Sequence, residues 1–324
     1  MAVKANTFGV GSATNITNAI GIREDLTDVI YNIAPTETPF MSNIGRTKCT
    51  ATTHEWQTDT LATAAVNQQL EGEDYDSAGL SASVVTVRPT NYTTISAKTL
   101  IISGTHESVL KAGRKSEIAY QVAKKGKELK RDIEYTLSRE QAPVASTGTT
   151  TRKTRALESW IDTNTSETGS THSSTYVITD GTQRDLTEAL AKAAIQAAWT
   201  SGGDPEMMLC GPVNKQNISS QFSGIATMYR EQSGVGPGTI IGAADIYVSD
   251  FGELKVVPSR FSRDRTISLI QKDMWAVAYL RPFKVWDLAK TGDSEKRLLL
   301  SEYTLESRNE AASAKVADLN TSLL

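Results

Sequence analysis

The sequence has little of what metal sites, disulfide scaffolds and membrane spans require. Its 324 residues include two cysteines, Cys49 and Cys210, which are too far apart for a metal-ligand motif or a disulfide framework. None of its three histidines, His54, His106 and His172, has a glutamate or a second histidine at ligand spacing. No apolar run approaches ~18 residues, and no signal-peptide pattern opens the chain. These absences predict a protein of a reducing compartment without a metal centre or a membrane helix.

Motifs for phosphate and ester chemistry are also missing. There is no GxxxxGK[ST] loop and no GxSxG elbow. The run Gly234–Gly238 resembles a dinucleotide fingerprint only superficially, because it contains Pro237 and lacks the third glycine at the right offset. A hydrolase with its site in residues 179–285 stays an alternative, supported only by a compact α/β pattern. We therefore expect no enzyme: no catalytic residue, no bound cofactor and no metal.

Positive charge is absent from one long stretch. The net charge of −3 argues against a dedicated nucleic-acid binder. Between Lys48 and Arg88 there is no lysine or arginine, and the stretch alternates Thr, Val and Ser in a way that predicts a β-hairpin with a polar tip. Because such a ribbon is marginal alone in water, it must lie on another surface. Its acidic residues are Glu55, Asp59, Glu71, Glu73, Asp74 and Asp76.

Residues 104–141 have the spacing of one long helix. The apolar stripe is formed by Ile118, Val122, Leu129, Ile133 and Leu137. Thr105 or Ser108 is expected to cap the start, Pro143 prevents continuation, and ~1.5 Å per residue gives a rod of roughly 50 Å. The basic residues on this rod form either a solvent-exposed face with ion pairs along it or a docking surface for the acidic hairpin. They are Lys124, Lys125, Lys127, Lys130 and Arg131.

The second half of the chain consists of segments that differ in composition and residue pattern. Residues 143–174 are rich in Thr, Ser and Gly and predict a long connection. Residues 176–286 predict a compact α/β domain. Arg297–Ser307 is typical of a long return strand, and Asn309–Leu324 of an extended or weakly helical tail.

Three segments carry a resemblance to a known family. REDLTDVIYNIAPTETPF (Arg23–Phe40) and HEWQTDTL (His54–Leu61) are similar to the opening of a caudoviral major head protein family. DPEMMLCGPVNKQNISSQF (Asp204–Phe222) is similar to a strand–turn–helix of the same proteins. With the order arm, hairpin, long helix, α/β domain and return strand, the chain resembles tailed-bacteriophage major capsid proteins of the Hong Kong 97-type fold.

The resemblance implies an α+β fold with named parts. These are an N-terminal arm (1–45), an extended β-hairpin loop (46–103), a peripheral domain with a spine helix (104–178), an axial α/β domain (179–285) and a return strand and tail (286–324). It further implies a head protein without catalytic turnover, which self-assembles through hexamers and pentamers into an icosahedral or prolate shell. The hairpin would then lie over a neighbouring copy, with its acidic residues and the basic residues of the helix as docking candidates.

The resemblance also implies partners and a location. The shell would enclose double-stranded DNA, contacted non-specifically, and would carry a portal protein, with a decoration protein as a further candidate partner. It would be assembled in the bacterial cytoplasm and then be part of the virion. Only some twenty residues precede the short amphipathic helix expected at Ile22–Ile33, so we expect a separate scaffolding protein. We expect no lysine–asparagine cross-link. An encapsulin-like nanocompartment with the same fold is the first alternative.

Overall fold

Two β-sheets, each with helices on it, organise the computed structural model, which describes residues 35–66, 68, 71–72, 85–222 and 245–323. The predicted helix at Ile22–Ile33 and the run Gly234–Gly238 lie outside these residues. The helices are α1 (Pro39–Asn43), α2 (Gly104–Ser108), α3 (Glu117–Ser138), α4 (Leu157–Trp160), α5 (Glu188–Thr200) and α6 (Pro212–Gln221). The strands are β1 (Gly45–Lys48), β2 (Thr53–Glu55), β3 (Thr90–Tyr92), β4 (Thr94–Ser103), β5 (Thr165–Ser166), β6 (Thr171–His172), β7 (Ile178–Thr179), β8 (Met207–Cys210), β9 (Ile246–Ser249), β10 (Gly252–Pro258), β11 (Ile267–Ile270), β12 (Trp275–Asp287), β13 (Ser294–Ser307) and β14 (Ala314–Val316).

The first sheet has the order β1-β12-β13-β4 and carries α3 on one face. β1 runs parallel to β12, and the other neighbours are antiparallel. The predicted stripe is confirmed: Leu129, Ile133 and Leu137 are fully buried, in one cluster with Leu299 and Tyr303 of β13. The apolar residues on one face of the helix and on one face of the strand therefore pack into the same core.

The prediction of one 38-residue rod is wrong, because the helix is interrupted between α2 and α3. Ser103 and Ser116 cap the two helices, each accepting a hydrogen bond of 3.2 Å from a backbone N–H. Gly113, between them, has a φ of +72°, which favours glycine and ends helical geometry. The predicted caps lie inside α2. At ~1.5 Å per residue, the 22 residues of α3 span about 33 Å.

The second sheet has the order β5-β14-β11-β8-β10-β9 and separates two cores. Met208 and Cys210 of β8 face the cluster that contains α5 and α6. Met207 and Leu209 face the opposite way, into the cluster shared with α3, α4 and the first sheet. Because alternate residues of a strand point to opposite faces, this short apolar strand joins the two halves of the described chain.

The predicted extended tail is confirmed, with the strand β14, but it is buried and not a surface segment. β14 lies inside the second sheet, between β5 and β11, and residues 312–319 are buried. Gly203 permits this close packing, because a Cβ there would come within 2.5 Å of the Ala312 backbone. The return strand is confirmed as β13, one of the two long strands of the first sheet.

Candidate intersubunit surfaces

The predicted hairpin is confirmed at its base. β2 pairs antiparallel with β3, and further out Thr58 and Val87 exchange two backbone hydrogen bonds of 2.9 Å. We refer to residues 53–92 as the hairpin arm. It is continuous with the first sheet, since only Thr93 separates β3 from β4.

Large apolar side chains of the hairpin arm are left in water. Their exposed fractions run from 64% to 99%, and they are Leu61, Val66, Val85 and Val87. Among the described residues, nothing covers this set. A folded chain that exposes several large apolar residues on one projecting element has a surface suited to another partner.

Asn91 fixes the base of the hairpin arm to the domain beneath. Its buried side-chain amide donates hydrogen bonds to the carbonyl oxygens of Leu305 (2.6 Å) and Arg155 (3.1 Å). Its side-chain oxygen accepts a hydrogen bond of 2.7 Å from the N–H of Arg155. A buried amide with all these bonds made holds a defined geometry. The arm is therefore held rigidly at one end.

Glu302 of β13 is a second fixing point. Its buried carboxylate accepts hydrogen bonds from Arg152 (2.6 Å), Arg281 (2.7 Å) and the hydroxyl of Thr93 (2.9 Å). Thr93 is the residue that joins the hairpin arm to β4. One carboxylate thus ties together the arm, β12, β13 and the segment that follows α3.

Glu306 holds the first strand of the hairpin arm. It accepts hydrogen bonds from Thr47 (2.8 Å) and lies 3.2 Å from Nε2 of His54. The bond with His54, followed by those with Thr47 and Arg308, lowers the pKa of Glu306 to about 2 from an ordinary 4.5, against an opposing effect of burial. Because the ionised form is the stabilised one, this contribution is complete above pH ~5 and is lost as the pH falls towards 2.

We expect Glu306→Gln to remove part of the acid sensitivity of the protein. The fall of the Glu306 pKa from 4.5 to about 2 corresponds to roughly 2–3 kcal/mol of unfolding free energy that the parent loses between pH 5 and 2 and the variant does not. Urea denaturation of unassembled subunits across this pH range measures the difference. Glu295→Gln, at a half-exposed position of the same strand, is the control and should titrate like the parent. Parallel pH profiles for parent and Glu306→Gln would contradict the assignment.

The five predicted basic docking residues do not share one environment. Lys124, Lys127 and Lys130 are exposed along α3. Lys125 is half-buried and pairs with Glu128 at 2.8 Å, and the Arg131 guanidinium lies 5.9 Å from the centre of the Phe261 ring. Three cations of the predicted set are therefore presented to solvent, while the other two take part in contacts within the chain.

Of the predicted acidic docking residues, the structure describes Glu71, which is exposed. Glu73, Asp74 and Asp76 lie outside the described residues. Nearer the base, Glu55 and Arg88 face each other at 3.6 Å, both in contact with water. In the described part of the arm, Glu71 is therefore on the surface, whereas Glu55 faces a cation.

In the described part of the chain, the histidine and cysteine side chains do not come together in one site. Each histidine lies against a carboxylate: His54 by Glu306, His106 by Glu117 at 3.6 Å, and His172 by Asp162 at 3.0 Å and by Glu167 at 3.1 Å. Residues 179–285 contain no histidine. Burial raises the pKa of the Cys210 thiol to about 12, which leaves it protonated and unreactive.

The described part of the chain has neither a cluster of metal-ligating side chains nor a membrane-spanning helix. No group of three or more His, Cys, Asp and Glu side chains is arranged to hold a metal ion. No helix there is both long and apolar enough to pass through a bilayer.

Sequence reasoning did not single out the fixing residues Asn91, Glu302 and Glu306. A signal was present for two of them. In β13, Glu302 and Glu306 are four residues apart, on the face opposite the apolar Tyr303 and Leu305. When two carboxylates lie on one face of a strand and the opposite face is apolar and buried, the carboxylate face indicates a second packing layer made of polar side chains.

Two packed sheets, a helix across one of them and a projecting hairpin define the class of shell-forming capsid proteins of the Hong Kong 97-type fold. The capsid protein of cyanophage A-1(L) superposes with a TM-score of 0.67 at 12% identity, over 92% of this chain and 97% of that one. The structure of the phage G major capsid and decoration proteins matches with a TM-score of 0.56 at 11% identity, over 95% of this chain and 100% of that one. The SrpI encapsulin of Synechococcus elongatus PCC 7942 matches with a TM-score of 0.56 at 10% identity, covering 91% and 94% of the two chains.

The sequence identifies the family within that class. The family model of the SU10 major capsid protein matches residues 6–320, so the chain belongs to this family of tailed-phage major capsid proteins. The major capsid protein of Escherichia phage Phieco32 is 36% identical over 111 residues, which is 34% of this chain and 31% of that protein. The match therefore spans about a third of the relative's length. The family is one of structural proteins, not of enzymes.

Proposed function

We propose that copies of this chain close into the shell of a tailed-phage head, and that the hairpin arm of each copy docks on the exposed cations of α3 in a neighbour. The observation that carries the proposal is an arm fixed firmly at its base by Asn91 and Glu302, whose described apolar side chains further out are left uncovered. Repeated contacts between unlike surfaces of identical copies close into rings, and rings of five and six build a shell.

Charge supports the docking partner. The stretch between Lys48 and Arg88 contains six acidic residues and no lysine or arginine, whereas Lys124, Lys127 and Lys130 are exposed on α3. Opposite charges across an interface guide encounter and disfavour wrong partners more than they add affinity.

The proposal extends to the partners of the shell. The shell encloses double-stranded DNA, held without sequence-specific contacts, and includes a portal protein. A separate scaffolding protein directs assembly in the bacterial cytoplasm, and the finished shell is part of the virion. A decoration protein is a further candidate partner, since the similar phage G structure contains one.

Neutralising the arm tip is expected to impair assembly. In the variant Glu71→Gln, Glu73→Gln, Asp74→Asn and Asp76→Asn, we expect assembly to slow by about tenfold near 0.01 M salt, where the Debye length is ~30 Å. Near 1 M salt, where that length is ~3 Å, variant and parent should assemble alike. Light scattering and electron microscopy of purified subunits measure both rates. Mutant shells that form as fast as the parent at low salt would end the docking proposal.

Two controls separate docking from general charge effects. Four substitutions elsewhere change the net charge equally and should leave assembly unchanged: Asp185→Asn, Asp204→Asn, Asp250→Asn and Glu253→Gln. A charge swap is the stronger test. Lysine at the four arm positions together with glutamate at Lys124, Lys127 and Lys130 should restore assembly that either set alone abolishes.

An encapsulin-like container is the second candidate, because the SrpI encapsulin shares the fold. The two functions differ in the content of the particle. Particles isolated from the natural source should contain double-stranded DNA if the shell is a phage head, and a folded protein cargo if it is a nanocompartment. Nuclease-protected nucleic acid decides between them.

A further inference from the structure

One glutamate of α3 is buried without a counter-charge. Glu134 is fully buried, and its carboxylate accepts hydrogen bonds from the backbone N–H groups of Phe40 (2.7 Å) and Met41 (2.8 Å) in α1. In the described part of the chain, no lysine, arginine or histidine pairs with it. A carboxyl group in such a place is costly to keep ionised, and it binds a proton more readily than one in water.

Glu134 supplies the cap that α1 lacks locally. Thr38, the residue before α1, makes no capping bond with its side chain, and its hydroxyl lies 3.2 Å from that of Ser42. The first N–H groups of a helix have no partner within the helix and need one from outside. Here the partner is 94 residues away in sequence. The position of α1 on α3 therefore depends on one carboxyl group together with the burial of Phe40 and Met41.

Charged groups on the neighbouring elements are engaged elsewhere. α1 has no charged residue. On α3, Lys130 is exposed and the Arg131 guanidinium lies against the Phe261 ring. On α4, Glu158 lies 3.4 Å from Arg263. The ionisation of Glu134 is therefore governed by its burial and by the two N–H groups of α1.

Two neutral hydroxyl groups complete these surroundings. The hydroxyl of Tyr279 in β12 lies 3.7 Å from Sδ of Met41, and burial raises the pKa of Tyr279 above the ordinary 10. Ser138 follows Glu134 by four residues, on the same face of α3, and its buried hydroxyl has no hydrogen-bond partner among the described residues. A protonated Glu134 has an O–H to donate, and the Ser138 oxygen is an acceptor one turn away. The site is thus suited to the neutral form of the carboxyl group.

We infer that Glu134 makes the contact between α1 and α3 pH-sensitive, firm while its carboxyl group is protonated and weaker once it has ionised. α1 leads directly into β1, the outer strand of the first sheet, so the state of Glu134 also acts on that edge. The inference concerns the single chain and holds or fails independently of shell formation.

The sign of the pH dependence follows from the proton that docked α1 retains. Burial, opposed by the N–H groups of Met41 and Phe40, raises the pKa of Glu134 to about 7 from an ordinary 4.5. When α1 detaches, the carboxyl group is hydrated and releases this proton. The stabilisation of the docked state is therefore complete below pH 4.5 and is lost as the pH rises through 7.

Hydrogen exchange of unassembled subunits between pH 5 and 8.5 tests the inference. After correction for the intrinsic effect of pH on exchange, protection of the amides of Phe40, Met41 and Ser42 should fall by about a hundredfold across this range. The amides of the buried strand β8 are the internal control and should keep their protection. Equal loss of protection in β8 and α1 would show unfolding of the whole chain and overturn the inference.

Two variants assign the pH dependence to one group. Glu134→Gln has no proton to lose, so protection of α1 should change by less than about threefold over the same range. Glu128→Gln, at a position of the same helix that is paired with Lys125, should behave like the parent. The contact between His54 and Glu306 is intact in both variants, so its own effect on β1 is measured and subtracted. The same pH dependence in the parent and in Glu134→Gln would overturn the inference.

The carboxyl carbon of Glu134 gives a readout that requires no substitution. Carbon-13 NMR of the unsubstituted subunit, with the signal identified by its proximity to the amide protons of Phe40 and Met41, should show a titration midpoint near pH 7. A midpoint near 4.5 would show that the buried carboxyl group is ionised throughout and that α1 is held without a switch.

Discussion

Ile133→Asp is expected to destroy the layer formed by α3 and the first sheet. Ile133 is fully buried in the cluster that holds Leu299 and Tyr303. The change removes apolar contacts and places a carboxylate inside a buried cluster of apolar side chains. We expect a loss of about 4–6 kcal/mol, against a total stability of ~5–15 kcal/mol for ordinary domains. Urea denaturation of unassembled subunits and the soluble yield measure it.

The control for this substitution lies less than one turn away. Lys130 lies three residues from Ile133 on α3 but is exposed, and Lys130→Asp should change the free energy of unfolding by less than about 1 kcal/mol. A soluble Ile133→Asp protein with the parental urea midpoint would show that the apolar stripe does not support the fold. Equal damage from both variants would point to helix propensity and not to burial.

Glu302→Ala is expected to have the second largest effect and to act on the hairpin arm. Glu302 is buried and is the common partner of Arg152, Arg281 and Thr93. Removing it leaves two guanidinium groups facing each other without a counter-charge. We expect a loss of about 3 kcal/mol, at the lower end for broken buried ion pairs, because Arg281 is half-exposed and can be hydrated.

Hydrogen exchange of the hairpin arm tests whether Glu302 acts on the arm specifically. Because Thr93 joins the arm to β4, hydrogen exchange in β2 and β3 should accelerate more than exchange in the second sheet. Glu295→Ala, at a half-exposed position of β13, is the control and should cost less than about 1 kcal/mol. Uniform acceleration across both sheets would show that Glu302 stabilises the chain generally and does not fix the arm.

Local periodicity was sufficient to predict several elements. The stripe of α3 came from spacing alone, since a helix of 3.6 residues per turn places Leu129, Ile133 and Leu137 on one face. The break before α3 was missed, because Thr105 and Ser108 are as suitable for capping as Ser103 and Ser116. What decides among four equivalent caps is the packing of the segments around them. Gly113, whose φ is positive in the structure, lies within the break.

Burial of polar segments was not predictable from local pattern. β14 is three residues long, which is too short to display an alternation of polar and apolar residues. It contains Lys315, and lysine is a residue type that is usually found on the surface. In the structure, Lys315 is buried and its ammonium donates to the carbonyl oxygen of Glu158 at 3.0 Å. Burial lowers the pKa of Lys315, a cost that neighbouring carboxylates reduce. The partner is 157 residues away in sequence, so no window on the chain contains both.

The sequence by itself determined the order of parts, the apolar stripe, the two-stranded arm and the uneven distribution of charge, because each depends on residues close together in the chain. Only the tertiary structure decided that the stripe belongs to a 22-residue helix, that Asn91, Glu302 and Glu306 fix the arm, and that β4 ends a sheet with an open edge. These features depend on which distant segments meet. That choice is made by the burial of two cores at once, which is a property of the whole chain.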